Sequence, residues 1–163
     1  RNKDVERWEK MILPFQFGMR MRCNSPESFP ADLLTSGEKS GIIACSHIIY
    51  EGDLILSYQR QINNVACRPS FEVQFQGYKA IVINGGGLNS ESFKSVYDPG
   101  KHDIMMTFVF NGKFWVVSLY TTKEIDCSEI ARSMGGGGHR KAAGFQVGHE
   151  LMMSIITGVF DIQ

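Results

Sequence analysis

Four consecutive glycines, followed by a histidine and two cations, form the segment of this sequence whose residue types are best suited to bind a ligand. Glycine allows backbone conformations that other residues avoid and lets a ligand approach the main chain closely. The backbone amides of such a loop can converge on one anion, most effectively where a helix begins just after it. We predict such a helix over 139–143, and the segment therefore predicts a phosphate or nucleotide contact. Its members are Gly135, Gly136, Gly137, Gly138, His139, Arg140 and Lys141.

A flexible linker is the alternative interpretation of the four glycines. The residues that follow favour a binding site, because a linker is seldom followed by a histidine, two cations and the small side chains of Ala142, Ala143 and Gly144. The segment is neither a Walker loop, which needs a Gly-Lys-Ser/Thr ending, nor a dinucleotide fingerprint with a downstream acid. A contact to phosphate is thus the favoured function of the glycine run.

Other chemistries are disfavoured by composition and spacing. Lys+Arg and Asp+Glu both number 17, and a net charge of zero argues against binding polyanions by bulk charge. His47, His102 and His149 have no carboxylate at metal-ligand spacing, so we expect them on the surface or in the core. The four cysteines lie far apart without a Cys-x-x-Cys pair, which predicts buried thiols in a reducing compartment, the cytoplasm. No apolar run approaches the length of a membrane span.

Strands and short helices must position the glycine run. The predicted strands cover 71–75, 79–84, 104–110, 113–120 and 144–147. The predicted short helices are one that begins at Asn89 or Ser90, one that begins at Asp126 or Ser128, and one over 151–156. Asn111-Gly112 predicts a type I′ turn, in which both residues need a positive φ. Strands that alternate with helices predict an α/β or α+β layered domain.

The first part of the chain has a different pattern. Residues 1–40 are irregular, with a short helix that Pro14 is expected to end and a loop after it. Between 41 and 67, apolar residues recur at steps of three, four or seven and predict a long helix, which is expected to begin or bend at Gly52. Arg68-Pro69 ends this predicted helix.

The glycine segment GGGGHRKAAGF, preceded by DCSEIA, resembles the signature of the DHH phosphoesterase superfamily, and more narrowly its C-terminal DHH-associated domain in the exopolyphosphatase-like branch. Weaker similarities to that branch extend over nearly the whole chain: DVERW at 4–8, GDLILSYQ at 52–59, IVIN at 81–84, Ser90-Glu91 and VVSL at 116–119. The resemblance implies an α/β fold with a mixed β-sheet of about five strands, flanked by helices and preceded by a long linking helix. It divides the chain into a junction with a missing N-terminal catalytic domain (1–40), the linking helix (41–68) and the substrate-binding domain (69–163).

The resemblance also implies the function. In the family, an N-terminal domain with Asp-rich and Asp-His-His motifs holds two manganese ions that generate the attacking hydroxide, and this sequence contains no Asp-His-His string. We therefore expect a phosphoesterase's substrate-binding domain that takes a phosphate-bearing nucleotide or short oligonucleotide, with no catalytic residue, metal ligand or cofactor in this chain. The chain alone is expected not to hydrolyse substrate, and manganese belongs to the full-length family enzyme.

Several substrate contacts follow from the same resemblance. They are Gly135, Gly136, Gly137, Gly138 and His139, with Arg140 flanking them, together with Ser118. For Asn84 two roles stay open, a hydrogen bond to the ligand or a cap at the end of its strand. Tyr120 occupies the position of a substrate-binding arginine in the family. Tyrosine can stack on a base or donate one hydrogen bond, but it cannot make arginine's bidentate contact to phosphate.

Two other functions stay open. One is a stand-alone nucleic-acid-binding or dimerisation module, because alanyl-tRNA synthetases carry a similar domain. Tyr120 and the zero net charge favour a role without tight binding of polyanions. The other is a degenerate subunit of a larger assembly, with methionines such as Met105 and Met152 at an interface, although core filling is their favoured role. A homodimer is compatible with each function, and no membrane contact is expected.

Overall fold

The computed structural model describes residues 3–35 and 37–158. Residues 1, 2, 36 and 159–163, which belong to the predicted junction and to the end of the predicted substrate-binding domain, lie outside the described residues. The chain divides into two compact units, Arg1–Ile62 and Asn63–Gln163. Within the described residues, no helix is long and apolar enough to cross a membrane.

The first unit is helical. Its elements are α1 (Lys3–Arg7), a π-helical stretch (Trp8–Ile12), α2 (Leu13–Arg22), a first 3₁₀ helix (Pro26–Ser28), α3 (Asp32–Thr35) and the start of α4 (Glu38–Ala66). The prediction that Pro14 ends the first helix is wrong. Pro14 lies in the first turn of α2, a position where the missing proline N–H is tolerated, and the chain remains helical to Arg22.

Glycines bring α2 and α4 into backbone contact. A Cβ at Gly52 would lie 2.6 Å from the carbonyl carbon of Pro14, and one at Gly18 would lie 2.9 Å from Cγ2 of Ile48. Arg22 adds a bidentate ion pair, with Nε and Nη2 at 2.7 and 2.5 Å from the two carboxylate oxygens of Glu51. α4 therefore continues through Gly52, where glycine serves close packing between helices.

The second unit is built on a mixed sheet. Its strands are β1 (Phe71–Phe75), β2 (Tyr78–Asn84), β3 (Ile104–Phe110), β4 (Trp115–Tyr120), β5 (Gly137–His139) and β6 (Ala142–Val147). The strand order is β1-β2-β3-β4-β6-β5, with β2 and β3 parallel and the other neighbours antiparallel. The helices are a second 3₁₀ helix (Ser90–Ser95), α5 (Cys127–Ser133) and α6 (His149–Thr157). The predicted α/β fold, with a long helix before a mixed sheet, is confirmed, with six strands among the described residues.

The two faces of the sheet are covered differently. One face packs against α5 and α6 in a core that includes Met106, Leu119 and Met152, and the Phe75 and Phe145 rings stack there at 5.9 Å. On the other face, Phe93 of the second 3₁₀ helix covers a smaller cluster on β2 and β3. Met105, Met106 and Met152 are buried, so their predicted role in core filling is confirmed.

The hairpin turns differ from the prediction. Asn111 does not have a positive φ, and its side chain instead accepts hydrogen bonds from the amides of Lys113 and Phe114 at 3.0 and 2.8 Å. This closes a four-residue loop, so the predicted type I′ turn at Asn111-Gly112 is wrong. The two-residue loop with a positive φ at both positions is Gln76-Gly77, between β1 and β2.

The cysteines form no disulfide. All four are free thiols. Cys67 and Cys127 are buried as predicted, whereas Cys23 and Cys45 are half-buried. Burial raises the pKa of the Cys127 thiol to about 11, so this group is protonated and unreactive near neutral pH.

Candidate functional site

α5 leads into the glycine run, and Asp126 fixes where this helix begins. The Asp126 carboxylate accepts hydrogen bonds from the Ser128 amide at 2.9 Å and from the Ser128 hydroxyl at 2.6 Å. Arg132, one turn later, donates to the same hydroxyl at 2.6 Å. An acidic N-cap satisfies an otherwise unpaired amide and suits the positive end of the helix dipole. The predicted helix start is confirmed.

The stability of the fold should depend on the charge of Asp126 at low pH. The Ser128 side chain, chiefly, holds the pKa of the Asp126 carboxyl below its usual range. A carboxyl with a lowered folded pKa stabilises the fold above its unfolded pKa of about 3.9, and this contribution is lost as the pH falls through the folded value. We expect the free energy of unfolding, measured with urea between pH 3 and 7, to fall less at low pH in Asp126→Asn than in the wild type. Asparagine caps the helix equally well but does not titrate. Identical pH profiles for the two proteins would contradict this role.

The glycine run ends α5 and then forms a strand. The amides of Gly135 and Gly136 donate to the carbonyls of Arg132 and Ala131 at 3.0 and 2.8 Å. Gly137, Gly138 and His139 form β5, which is antiparallel to β6. The predicted helix over 139–143 is wrong, because Arg140 and Lys141 make a tight turn between these two strands. No helix begins directly after the glycines, and the amides of Gly135 and Gly136 are already bonded to carbonyls, so an anion cradle at a helix start does not form.

β5 offers a different kind of polar surface. It is the last strand in the sheet order and pairs with β6 alone. An edge strand presents backbone N–H and C=O groups on its unpaired side, and a sheet edge is one of the concave backbone surfaces that hold anions.

Close packing explains why most positions of the glycine run, and Gly144 opposite it on β6, require glycine. A Cβ at Gly136 would lie 2.6 Å from Cβ of Phe145, and a Cβ at Gly144 would lie 2.7 Å from the carbonyl oxygen of Val117. Gly138 has a φ of +142°, and a Cβ there would lie 2.6 Å from Cα of Ala143. Gly137 differs from them, because its φ lies outside the left-handed region and a Cβ there would meet no atom within 4 Å. Neither conformation nor packing requires glycine at position 137.

The register of the sheet brings Ser118 next to the glycine run. Ser118 of β4 pairs with Gly144 of β6, which in turn pairs with Gly137 of β5. Paired residues project from the same face of a sheet, and here two of the three have no side chain. The Ser118 hydroxyl makes no hydrogen bond within the described residues and therefore faces open space.

This uncovered part of the face forms a shallow pocket of about 390 Å³. The residues that line it are Val116, Val117, Ser118, Gly135, Gly136, Gly144, Phe145 and Gln146. Sequence reasoning did not find the lining residues of β6, of which Gly144 and Gln146 project from the same face as Ser118. The alternation along β6 would have identified that face only once its pairing with β4 was known.

His139 lies on the same face as Ser118. It pairs with Ala142, which pairs with Tyr120, and its side chain is exposed. The Tyr120 hydroxyl donates to the Leu88 carbonyl at 3.2 Å. The residue at the position of the family's arginine is therefore engaged within the fold, whereas His139 is accessible.

The two cations after His139 are paired with one acid. Nη2 of Arg140 and Nζ of Lys141 lie 3.2 Å from the two carboxylate oxygens of Glu124. The hydrogen bond from Lys141 is the main cause that lowers the pKa of Glu124, so the acid stays ionised near neutral pH. Glu124 thus offsets the positive charge that the sequence places beside the glycines.

Asn84 is separate from this group. It ends β2 and pairs with Phe108 of β3, so β3 lies between Asn84 and the strand of Ser118. It does not line the pocket. The predicted contacts that line the pocket are Ser118, Gly135 and Gly136. Gly137, Gly138 and His139 lie on β5, next to β6, and Arg140 lies in the turn after it, whereas Asn84 is separate.

The described residues do not assemble a metal site. Within 3–35 and 37–158, no three His, Cys, Asp or Glu side chains lie together as ligands of one ion would. The buried His102 is a structural residue, because its Nδ1 accepts the Asp98 amide at 3.1 Å and its Nε2 lies 2.9 Å from the Glu72 carboxylate. His149 lies 3.3 Å from the indole nitrogen of Trp115.

Comparisons with known proteins give a fold likeness. No protein-family model matches the sequence, and no curated protein matches it. Among solved structures, the chain is similar to a pGpG-specific phosphodiesterase, PggH, from Vibrio cholerae, with 12% identity and a TM-score of 0.50 over 80% of this chain and 53% of that chain. An exopolyphosphatase-related protein from Bacteroides fragilis matches with 14% identity and a TM-score of 0.42 over 76% of this chain and 43% of that one.

An uncharacterized protein from Helicobacter pylori G27 is also similar, with 17% identity and a TM-score of 0.39 over 71% of this chain and 37% of that one. The chain spans about half the length of the phosphodiesterase. The likeness to that enzyme concerns the fold and is consistent with the fold that the DHH resemblance implies.

Proposed function

We propose that this chain is the substrate-binding part of a DHH-type phosphoesterase and that the pocket beside Ser118 receives a 5′-phosphorylated dinucleotide. The observation that carries the proposal is Gly137. The other glycines of this surface are needed for chain conformation or close packing, whereas a side chain at Gly137 would extend into open space. Gly137 lies on the same face as the unbonded Ser118 hydroxyl, with Gly144 of β6 between them. A glycine that the fold does not require at this place is suited to the close approach of a ligand to the backbone.

The chemistry of the pocket supports a phosphate-bearing ligand. Ser118 and His139 can each contribute a hydrogen bond from the same face, and the unpaired side of the three-residue strand β5 can contribute a backbone N–H. The net positive charge nearby is small because Glu124 pairs with Arg140 and Lys141. Recognition would thus rest on hydrogen bonds to one or two phosphates, which suits a short ligand better than a long polyanion.

Hydrolysis is not assigned to these residues. Manganese, which the DHH resemblance implies for the complete enzyme, does not fit the described side chains, because no three potential ligands lie together. In this proposal the chain binds and orients the nucleotide, and the metal and its water belong to a catalytic domain supplied from elsewhere.

A titration with pGpG tests the proposal, since the phosphodiesterase of similar fold is specific for that dinucleotide. Calorimetry should show that the chain binds pGpG, and that GpG, which lacks the 5′-phosphate, binds more weakly. His139→Ala should weaken the binding of pGpG at least tenfold, as expected for a lost hydrogen bond to a charged group. Gly137→Val should weaken it as well, because it adds a side chain to the face of the sheet that carries Ser118, with only Gly144 between them.

His149→Ala is the matched control. It removes a histidine that lies beside Trp115. The Trp115 side chain projects from the face of β4 opposite to that of Ser118, so this variant should leave the affinity for pGpG unchanged. Absence of pGpG binding at millimolar concentration would overturn the proposal. Equal affinities of the wild type, His139→Ala and Gly137→Val would overturn the assignment of the pocket.

A further inference from the structure

The pocket on β4 and β6 has two polar side chains of different chemistry. They are Ser118 and Gln146, and none of the residues that line the pocket is charged. Gln146 is exposed, and its side-chain amide makes no hydrogen bond within the described part of the chain. The proposed contact to phosphate uses Ser118 and gives Gln146 no role.

The pairing of the strands fixes where these two side chains lie on the face. Gln146 pairs with Val116 of β4, and Ser118 pairs with Gly144 of β6. Gln146 therefore lies on the same face as Ser118, two residues or ~7 Å further along β6 than Gly144. Val116 beside it is half-buried and supplies an apolar surface at the same level of the sheet.

The cationic residues lie at the other end of this face. His139 pairs with Ala142, two residues before Gly144 on β6, so it lies on the other side of Ser118 from Gln146. The two cations of the turn after His139 lie at this end as well. A phosphate between Ser118 and His139 leaves the face as far as Gln146 for the rest of the ligand. A pentose separates the 5′-phosphate of a nucleotide from its base by a comparable span.

We propose that Gln146 binds the edge of a nucleobase, so that the pocket reads the base of its ligand as well as the phosphate. This inference rests on the proposed function, because it takes the position of the phosphate from it. A glutamine amide presents a donor beside an acceptor and can bind a base edge with two hydrogen bonds. Val116 supplies an apolar surface for the ring, and Gly135 and Gly136 line the pocket without side chains that would exclude it.

Titrations with pGpG and with ribose 5-phosphate, which lacks a base, test this role by NMR. Gln146→Leu should weaken the binding of pGpG about fivefold and leave that of ribose 5-phosphate unchanged, whereas His139→Ala should weaken both. Gln74→Leu is the matched control, because Gln74 is an exposed glutamine of β1, at the opposite edge of the sheet from β5. This variant should bind pGpG as the wild type does.

Gln146→Glu separates base recognition from a structural role. A carboxylate only accepts hydrogen bonds, which suits the two adjacent donors of guanine, N1–H and the 2-amino group. Adenine presents a donor beside an acceptor and does not fit a carboxylate in this way. The ratio of the affinities for pGpG and pApA should therefore rise about tenfold over that of the wild type. The added negative charge repels the phosphates of both ligands alike and leaves this ratio unaffected.

Three results would each overturn the role of Gln146. They are equal affinities of the wild type and Gln146→Leu for pGpG, equal losses for pGpG and ribose 5-phosphate in Gln146→Leu, and an unchanged ratio of affinities in Gln146→Glu. The proposed function would stand in each case if pGpG still bound and His139→Ala still weakened it. A wild type that binds no pGpG would overturn the proposed function and this inference together.

Discussion

Gly136→Ala should lower the free energy of unfolding by about 3 kcal/mol, whereas Gly137→Ala should change it by no more than about 0.5 kcal/mol. The added methyl group at position 136 would lie 2.6 Å from Cβ and 2.7 Å from Cα of Phe145. Neither atom can move easily, since β6 is hydrogen-bonded on both sides and the Phe145 ring stacks on Phe75 in the core. The same methyl group at position 137 would meet no atom within 4 Å.

Urea unfolding of the two variants beside the wild type measures the difference. Each variant is the control for the other, because the substitution is identical and the positions are adjacent. Equal losses of stability in both would show that the run tolerates no side chain anywhere and would remove the structural basis for singling out Gly137. An unchanged stability in Gly136→Ala would contradict the close approach of β6 to the end of α5.

Local sequence patterns predicted the elements that are determined by residues close together in the chain. β1 and β2 follow from alternation and a continuous apolar run, and the second 3₁₀ helix and α5 begin at the residues that can cap them, Asn89 and Asp126. In each case the deciding interaction lies within a few residues in the chain, such as the hydrogen bond from the Glu91 amide to the Asn89 side chain at 3.0 Å. Neighbouring residues are visible in a sequence without any knowledge of the fold.

The error at the glycine run arises where strand pairing decides the structure. Arg140, Lys141 and Ala142 have good helix propensity, and the predicted helix over 139–143 rested on such local features. The pairing of Gly137 with Gly144 and of Ser118 with Gly144 outweighs this helix propensity. Tertiary context often decides β-structure in this way. The insertion of β6 between β4 and β5 is what brings Ser118 to the glycine run, and no local pattern contains that order.

Phe93→Ala should cost about 3–5 kcal/mol in the free energy of unfolding, the usual range for a fully buried phenylalanine. Phe93 is 0% exposed and packs with Ile81, Ile83 and Met105. The buried residues of the second 3₁₀ helix are Ser92 and Phe93, so the Phe93 ring is its main apolar attachment to the sheet. Hydrogen exchange at the Val96 amide, which donates to the Phe93 carbonyl at 2.9 Å, should accelerate in the variant more than exchange in β3.

Phe110→Ala is the control with the same change of side chain. Phe110 is 50% exposed and contacts the Trp115 ring at 5.2 Å, so its loss should cost about 1 kcal/mol. Similar costs for both variants would show that the second 3₁₀ helix is not held by Phe93. Because Phe93 covers β2 and β3 while the pocket lies on β4 and β6, folded Phe93→Ala protein should still bind pGpG as the wild type does. A loss of binding that follows the loss of the 3₁₀ helix would instead make that helix part of the site and extend the pocket across the whole face.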